Sequence, residues 1–337
     1  MTEPNDDRLA LDLLIRGFQV SRTIRLVADL GIADKIASDA PCPVAGLAAA
    51  CGVLPGPLLR ALRCLAAFGI FRVDANGNVA HTPRSRLLRT DVPNSLHHGA
   101  RFWTAPGSWR AWEKLDVALD GESPHEAAWG ASRFAYLRDH PDEARLFDAF
   151  MASFPDDRHE AVAGAYDFSQ ARLIVDVGGG NGETLRRILA RCPEARGILF
   201  DREDVVAAVP SEALADGRIA TKGGSFFDGV PSGADLYLIV RVLHNWSDED
   251  VLRILRSCRS AMEPDGRLLI VDHILEPDPS RGRPTDYLLD MQMMAMFGSA
   301  RERTEADFRD LLASAGFGLR RLIPTPSPVS ILEAVPS

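Results

Sequence analysis

The sequence predicts a two-part α/β protein, with a helical N-terminal domain of winged-helix outline followed by a C-terminal sheet whose strands alternate with helices. Three observations carry this. After Arg172 the apolar period changes from helical to alternating strand and helix. A glycine-rich stretch, Val175-Asp176-Val177-Gly178-Gly179-Gly180-Asn181-Gly182, falls between a strand and a helix. Val44 to His81 reads helix, turn, helix, hairpin.

At 337 residues the chain implies two domains rather than one core. Apolar and charged fractions of 46% and 25% are those of a globular protein. No apolar run approaches the ~20 residues needed to span a bilayer, so no membrane partner is expected. Met1 to Arg8 lacks the basic and apolar regions of a signal peptide, which predicts a cytoplasmic location. Cys42, Cys51, Cys64, Cys192 and Cys258 are scattered and form no Cys-x-x-Cys pair, which predicts free thiols and no structural zinc. A net charge of −9 points away from nucleic acid and suits a small-molecule partner.

In order along the chain, Leu9 to Leu30 is apolar at helical spacing, a short helix spans Val44 to Ala50, and a second runs from Pro57 to Phe68 with Gly69 past its end. Ile70 to Val73 and Asn78 to His81 flank the turn Asp74-Ala75-Asn76-Gly77. A recognition helix for the major groove should present Arg, Lys, Asn or Gln to the bases. This one offers Leu58, Leu59, Leu62, Leu65 and Ala66, with only Arg60 and Arg63 basic, so packing or dimerisation is favoured over DNA binding. Ser95 to Ala171 stays helical, and Phe147 and Met151 share a helix face at i, i+4, where they suit a pocket lining as well as a core. Strands follow at Leu173 to Val177, Gly197 to Phe200, Leu236 to Val240 and Leu268 to Ile274, with a closing pair at Leu319 to Ile323 and Ser330 to Val335. Helices are expected around Leu185 to Leu189, from Asp248 to Met262 behind a Ser247/Asp250 cap, and from Thr304, with Asp307 in the capping position, to Gly316. The expected domains are residues 1–95, a helical linker at 96–170, and a catalytic domain at 171–337.

The glycine stretch is the strongest chemical signal. Its glycines allow a tight turn and a close ligand approach beyond the carboxyl end of the strand. A dinucleotide frame would need a third glycine where Glu183 or Leu185 stands. Asp176 through Gly182, Asp-x-Gly-x-Gly-x-Gly, instead resembles the first motif of class I S-adenosylmethionine-dependent methyltransferases. Its carboxylate suits a cofactor with a cationic amino-acid end, and Asp201, ending the next strand, stands where an acid binds ribose hydroxyls. Asp176, Gly178, Gly180, Gly182 and Asp201 are therefore the first candidate cofactor residues.

Further on, Gly223-Gly224-Ser225-Phe226-Phe227, Arg241-Val242-Leu243-His244-Asn245-Trp246-Ser247-Asp248-Glu249 and Glu302-Arg303-Thr304 resemble, in order and spacing, the signatures of the plant caffeate/flavonoid-type and bacterial polyketide O-methyltransferases. The resemblance covers nearly the whole chain. It implies a Rossmann-like, mostly parallel methyltransferase sheet with an antiparallel last strand, behind a winged-helix dimerisation domain and therefore a homodimer. It also implies S-adenosylmethionine as cofactor, no metal, and an aromatic small molecule whose hydroxyl is methylated.

By the same resemblance His244 is the general base, with Glu302 and Asp272 as its flanking acids, although Asp272 is one methylene shorter than the family's glutamate and also reads as a strand-end acid with a local bond. Ser225, Phe226, Phe227 and Arg241 fall on cofactor positions, with Ser225 in place of an acid and Arg241 in place of a lysine. Asn245, in place of an aspartate, and Met293 fall beside the acceptor. His273, next to Asp272, is expected to face the other side of the sheet. Proton transfer from a phenol to an ordinary imidazole is uphill by roughly 5 kcal/mol, and an aliphatic hydroxyl would be harder still, which favours an aromatic acceptor. Two other readings stay open. One is a relative that binds S-adenosylmethionine without transferring methyl, and the other is a cofactor-sensing DNA-binding regulator.

Overall fold

The computed structural model describes residues 4–37, 40–153, 157–215 and 217–337. They group into two compact units, Met1–Trp112 with Phe134–Pro155 and Glu113–Arg133 with Asp156–Ser337, so the helical stretch 96–170 divides between them.

In the first unit the expected single helix from Leu9 is two, Pro4–Ile15 and Gly17–Asp29, broken at Arg16. A three-stranded sheet in the order β1-β3-β2 follows, from β1 (Cys42–Pro43), β2 (Phe71–Val73) and β3 (Asn78–His81). The helices Val44–Cys51 and Pro55–Ala67 lie between these strands in sequence. The second begins two residues before the expected Pro57, because extended Leu54 caps it and Pro55, with no N–H to satisfy, takes the first turn. Its Leu58, Leu62 and Leu65 are buried with Val27, Ile32, Ile36, Leu47, Phe71 and Val79, while Arg60 and Arg63 face solvent. The leucines that spoil a DNA-reading helix are thus core. Leu9, Leu14 and Phe18 on the first two helices remain exposed, Leu14 at 77%. In the helix Pro141–Ala152, Phe150 stacks on Phe102 with centroids 4.4 Å apart. Phe147 meets the same Phe102 ring at 5.7 Å, and Met151 is exposed.

The second unit is built on seven strands: β4 (Leu173–Val177), β5 (Arg196–Asp201), β6 (Ile219–Gly223), β7 (Leu236–Val240), β8 (Arg267–Asp272), β9 (Phe317–Pro324) and β10 (Ser330–Pro336). Their order is β6-β5-β4-β7-β8-β10-β9. The first five are parallel, whereas β10 runs antiparallel to both β8 and β9. The central strands read as unbroken apolar runs because both faces are covered. Val175, Tyr237, Ile239, Leu268 and Ile270 pack on one side, and Ile174, Leu236, Leu238, Leu269 and Val271 on the other. Strand order reverses between β4 and β7, so the loops after their carboxyl ends flank the crevice where open sheets bind ligands. No single helix among the described residues is long and apolar enough to cross a membrane.

Candidate functional site

The loop leaving β4 is shaped by its glycines. Gly178, Gly180 and Gly182 have φ of 70°, 59° and 77°, a region costly for residues with a Cβ. At Gly178 a Cβ would also lie 2.7 Å from a Val242 methyl, while at Gly180 nothing stands within 4 Å. The loop is therefore pressed against the β7 loop at one point and open at another.

Beneath it Asp176 is 1% exposed, and its Oδ1 has no hydrogen-bond partner among the described residues. Burial, with the Asp201 charge adding to it, pushes this carboxyl up to about 7. A buried, unpartnered acid calls for a cation, and the amino group of S-adenosylmethionine is one, so the residues present fit that cofactor. Asp201, at the end of β5, accepts the Gly180 N–H at 2.9 Å and the Arg202 N–H at 2.7 Å, one at each oxygen. That leaves each oxygen capacity for a hydroxyl donor.

The third wall is aromatic. Phe226 and Phe227 meet edge to face at 4.9 Å, and Trp246 packs on them at 5.7 and 4.8 Å. Ser225 is exposed and accepts the Phe227 N–H in a local turn. Trp246 lies inside a quoted signature but was not among the expected site residues. Its ring contacts are long-range and had no sequence signal.

His244 sits in the short 3-10 turn Leu243–Asn245 that follows β7. Its Nδ1 is 3.0 Å from Glu302 Oε1. Glu302 is 3% exposed, on a segment pinned beside β8 by the Ile274–Arg303 bridge and the Leu275 N–H to Arg303 carbonyl bond. The Glu302 N–H in turn donates to Asp290 on the helix Pro284–Phe297 at 2.8 Å. Burial raises the Glu302 carboxyl, but hydrogen bonds from His244 and Arg241 and the Arg241 charge outweigh it and hold it far below the usual range. Burial, then the Glu302 charge, lifts Asp290.

Asp272 ends β8, 1% exposed, and bonds through Oδ1 to the Arg241 guanidinium and the His273 N–H, not to His244. Arg241 thus lies among the acids: Nη1 and Nη2 meet Glu302 Oε2 and Oε1 at 3.1 and 3.0 Å. His244, Asp272 and Glu302 offer ligand atoms within 4.8 Å of one another, a spacing that could ring a metal ion, but the guanidinium bonds both carboxylates there. His273 falls just past the end of β8, where strand alternation no longer governs, and lines a small crevice with Asp286, Leu289 and Glu302. Asn245 is half-buried beside His244, and Met293 is buried in the helix Pro284–Phe297.

Arg303 follows Glu302 in the third signature segment, where the resemblance assigns it no role. It is 1% exposed and donates to the Leu243 and Trp246 carbonyls at 2.9 and 2.8 Å and to Asp248. It therefore fixes the turn that carries His244.

Similarity to known proteins extends over nearly the whole chain. Residues 112–318 match the model of the O-methyltransferase domain, and residues 13–91 that of the O-methyltransferase dimerisation domain. The chain is 40% identical over 329 residues to a phenazine O-methyltransferase of Lysobacter antibioticus, covering 96% of this chain and 94% of the relative. It superposes on the structure of a mitomycin 7-O-methyltransferase with a TM-score of 0.88 at 34% identity, covering 99% and 98% of the two chains. An O-methyltransferase from neocarzinostatin biosynthesis, solved in complex with S-adenosylmethionine and 2-hydroxy-5-methyl naphthoic acid, matches at 0.79 and 29% identity over 94% and 96%.

Proposed function

This chain belongs to the O-methyltransferase family, and from that premise we propose that it methylates a hydroxyl of an aromatic small molecule with His244 as the general base. When bound, S-adenosylmethionine supplies the electrophilic methyl group on its sulfonium. Asp176 would hold its amino-acid end, Asp201 its ribose, and the Phe226, Phe227 and Trp246 rings its flat base. The Glycine loop from Gly178 to Gly182 lets the backbone come close.

The observation that carries the role of the base is the 3.0 Å contact from His244 Nδ1 to the buried Glu302 carboxylate. A carboxylate cannot donate, so an Nδ1 bonded to Glu302 carries the proton, with Arg241 Nη2, which also stands 3.0 Å from Nδ1, donating to the carboxylate instead, and Nε2 is left with the lone pair that takes a phenolic proton. Glu302 then stabilises the imidazolium that forms. Asn245 and Met293, near the base in sequence and on the neighbouring helix, are assigned to the acceptor. The aromatic acceptor follows from proton affinity and agrees with the relatives, which act on a phenazine or bind a hydroxynaphthoic acid.

The same reading makes the protein a cytoplasmic homodimer, joined through the apolar surface of Leu9, Leu14 and Phe18.

Mass spectrometry of a phenol panel (catechols, hydroxynaphthoates, hydroxyphenazines, flavonoids) with purified protein and S-adenosylmethionine tests this. A product 14 mass units heavier, lost in His244→Ala, is expected. Methylation that survives in His244→Ala removes the assigned base. S-adenosylhomocysteine binding without methylation of any acceptor favours a relative that does not transfer methyl.

A further inference from the structure

We propose that Arg241 is a positioning residue that clamps Asp272 and Glu302 together and thereby sets both the hydrogen-bond polarity and the charge environment of His244. The inference rests on His244 being the base. Three observations support it. First, Arg241 is one of few non-glycine residues with a left-handed backbone, φ 53°, and its N–H is tied to the Val271 carbonyl at 2.9 Å. A strained turn for a residue with a long side chain persists only when the surroundings impose it. Here the turn brings the guanidinium back across the end of β8. Second, the fork is fully engaged, with one nitrogen on Asp272 and Glu302 and the other on Glu302 and within 3.0 Å of His244 Nδ1. A lysine, a point donor, cannot make this pattern. Third, both acids are almost completely buried, so without Arg241 two carboxylates would face one imidazole.

The charged and titratable groups around His244 come from several segments: Arg241 on its own turn, Asp272 and His273 at the end of β8, Asp286 and Asp290 on the helix Pro284–Phe297, and Glu302 with Arg303 on the segment after it. With a neutral imidazole, Arg241, Asp272 and Glu302 sum to one negative charge. Arg241 offsets the second carboxylate. By donating to Glu302 Oε1, Nη2 holds that oxygen 3.0 Å from Nδ1, where it can accept the imidazole proton. Without the clamp that oxygen is free to turn away, and an excess of negative charge favours the protonated imidazole, which cannot act as a base.

The experiment is the pH–rate profile of methyl transfer for wild type, Arg241→Gln, Arg241→Lys and Asp272→Asn, with S-adenosylhomocysteine affinity measured calorimetrically at each pH. Arg241→Gln should move the acid limb upward by at least about one pH unit, so that activity on the acid side of the limb falls about tenfold and recovers as pH rises. Arg241→Lys should restore the limb most of the way, since it returns the charge, while keeping a lower plateau because the fork is lost. Asp272→Asn should move the limb the other way, and it decides the matter if Arg241→Gln does not fold. S-adenosylhomocysteine affinity should change less than about threefold in each. An unmoved limb with a large loss of affinity would make Arg241 a cofactor ligand and overturn the proposal, as would an upward shift in Asp272→Asn. Failure of the underlying reading looks different: His244→Ala would then retain both the rate and the acid limb.

Discussion

Lowering the pH should loosen the cofactor through one buried acid. Asp176 lies 1% exposed under the glycine loop with an unpartnered oxygen, and its carboxyl is pushed up to about 7 by burial and then by Asp201. A cationic amino group binds the ionised form, so affinity follows the ionised fraction, about nine-tenths at pH 8 and about one-tenth at pH 6. S-adenosylhomocysteine should therefore bind about tenfold more weakly at pH 6 than at pH 8. At pH 7 binding should release about half a proton, read by titration calorimetry in buffers of different ionisation enthalpy. Asp176→Asn should bind weakly with a flat profile and no proton release. The stability of the ligand-free protein gives a second reading with its own sign. The folded-state value lies above the unfolded one, so this group's contribution is complete below about pH 4 and lost as pH rises through about 7, by something of order 4 kcal/mol. Saturating S-adenosylhomocysteine should reverse that loss. Wild-type affinity that is flat from pH 6 to 8, or a slope that survives in Asp176→Asn, would refute the reasoning.

Three further outcomes follow from other contacts. Glu302→Gln replaces a charge-assisted bond to His244 worth about 1.5–3 kcal/mol, so kcat should fall roughly 10- to 150-fold, with S-adenosylhomocysteine affinity little changed; unchanged kcat sinks the orienting role. Arg303→Met leaves the Leu243 and Trp246 carbonyls without their donor, at about 3 kcal/mol, which in a unit of this size lowers Tm by roughly 6–12 °C; scanning calorimetry that finds no drop removes the brace. Gly178→Ala sets a Cβ against Val242 and should cost at least about tenfold in cofactor affinity, part of which Val242→Ala in the same chain should restore; no restoration means the close approach is not the cause.

What was legible in the sequence was whatever depends on short-range pattern. The six strands with unbroken or paired apolar runs around the core, the Ser247 cap on Asp250, and the Thr304–Asp307 capping box are local, and the structure has each within about two residues of its expected place. β6 was not read as a strand, because it is an edge strand with Ile219 buried while Ala220, Thr221 and Lys222 face out, so no apolar run marks it. Helix starts slipped for a similar reason: Pro55 and Pro57 both suit a first turn, and only the extended Leu54 decides between them. In the candidate site, Asp176, Asp201, His244 and Glu302 stand out in the sequence because each sits at a strand end or in a signature segment. Their partners are another matter. Asp272 reads either as an acid reaching for His244 or as a strand-end acid with a local bond, and it does accept the adjacent His273 N–H. In the structure that carboxylate meets a guanidinium from a turn 31 residues earlier. Arg303 and Trp246 acquired their roles in the same way, through contacts across elements. Spacing can place a histidine at the edge of a sheet and an acid within range of it. Which cation stands between two acids depends on a left-handed turn at Arg241, a conformation no local pattern announces for arginine. The candidate base is thus marked by sequence, and the charged groups that surround it are assembled by tertiary structure.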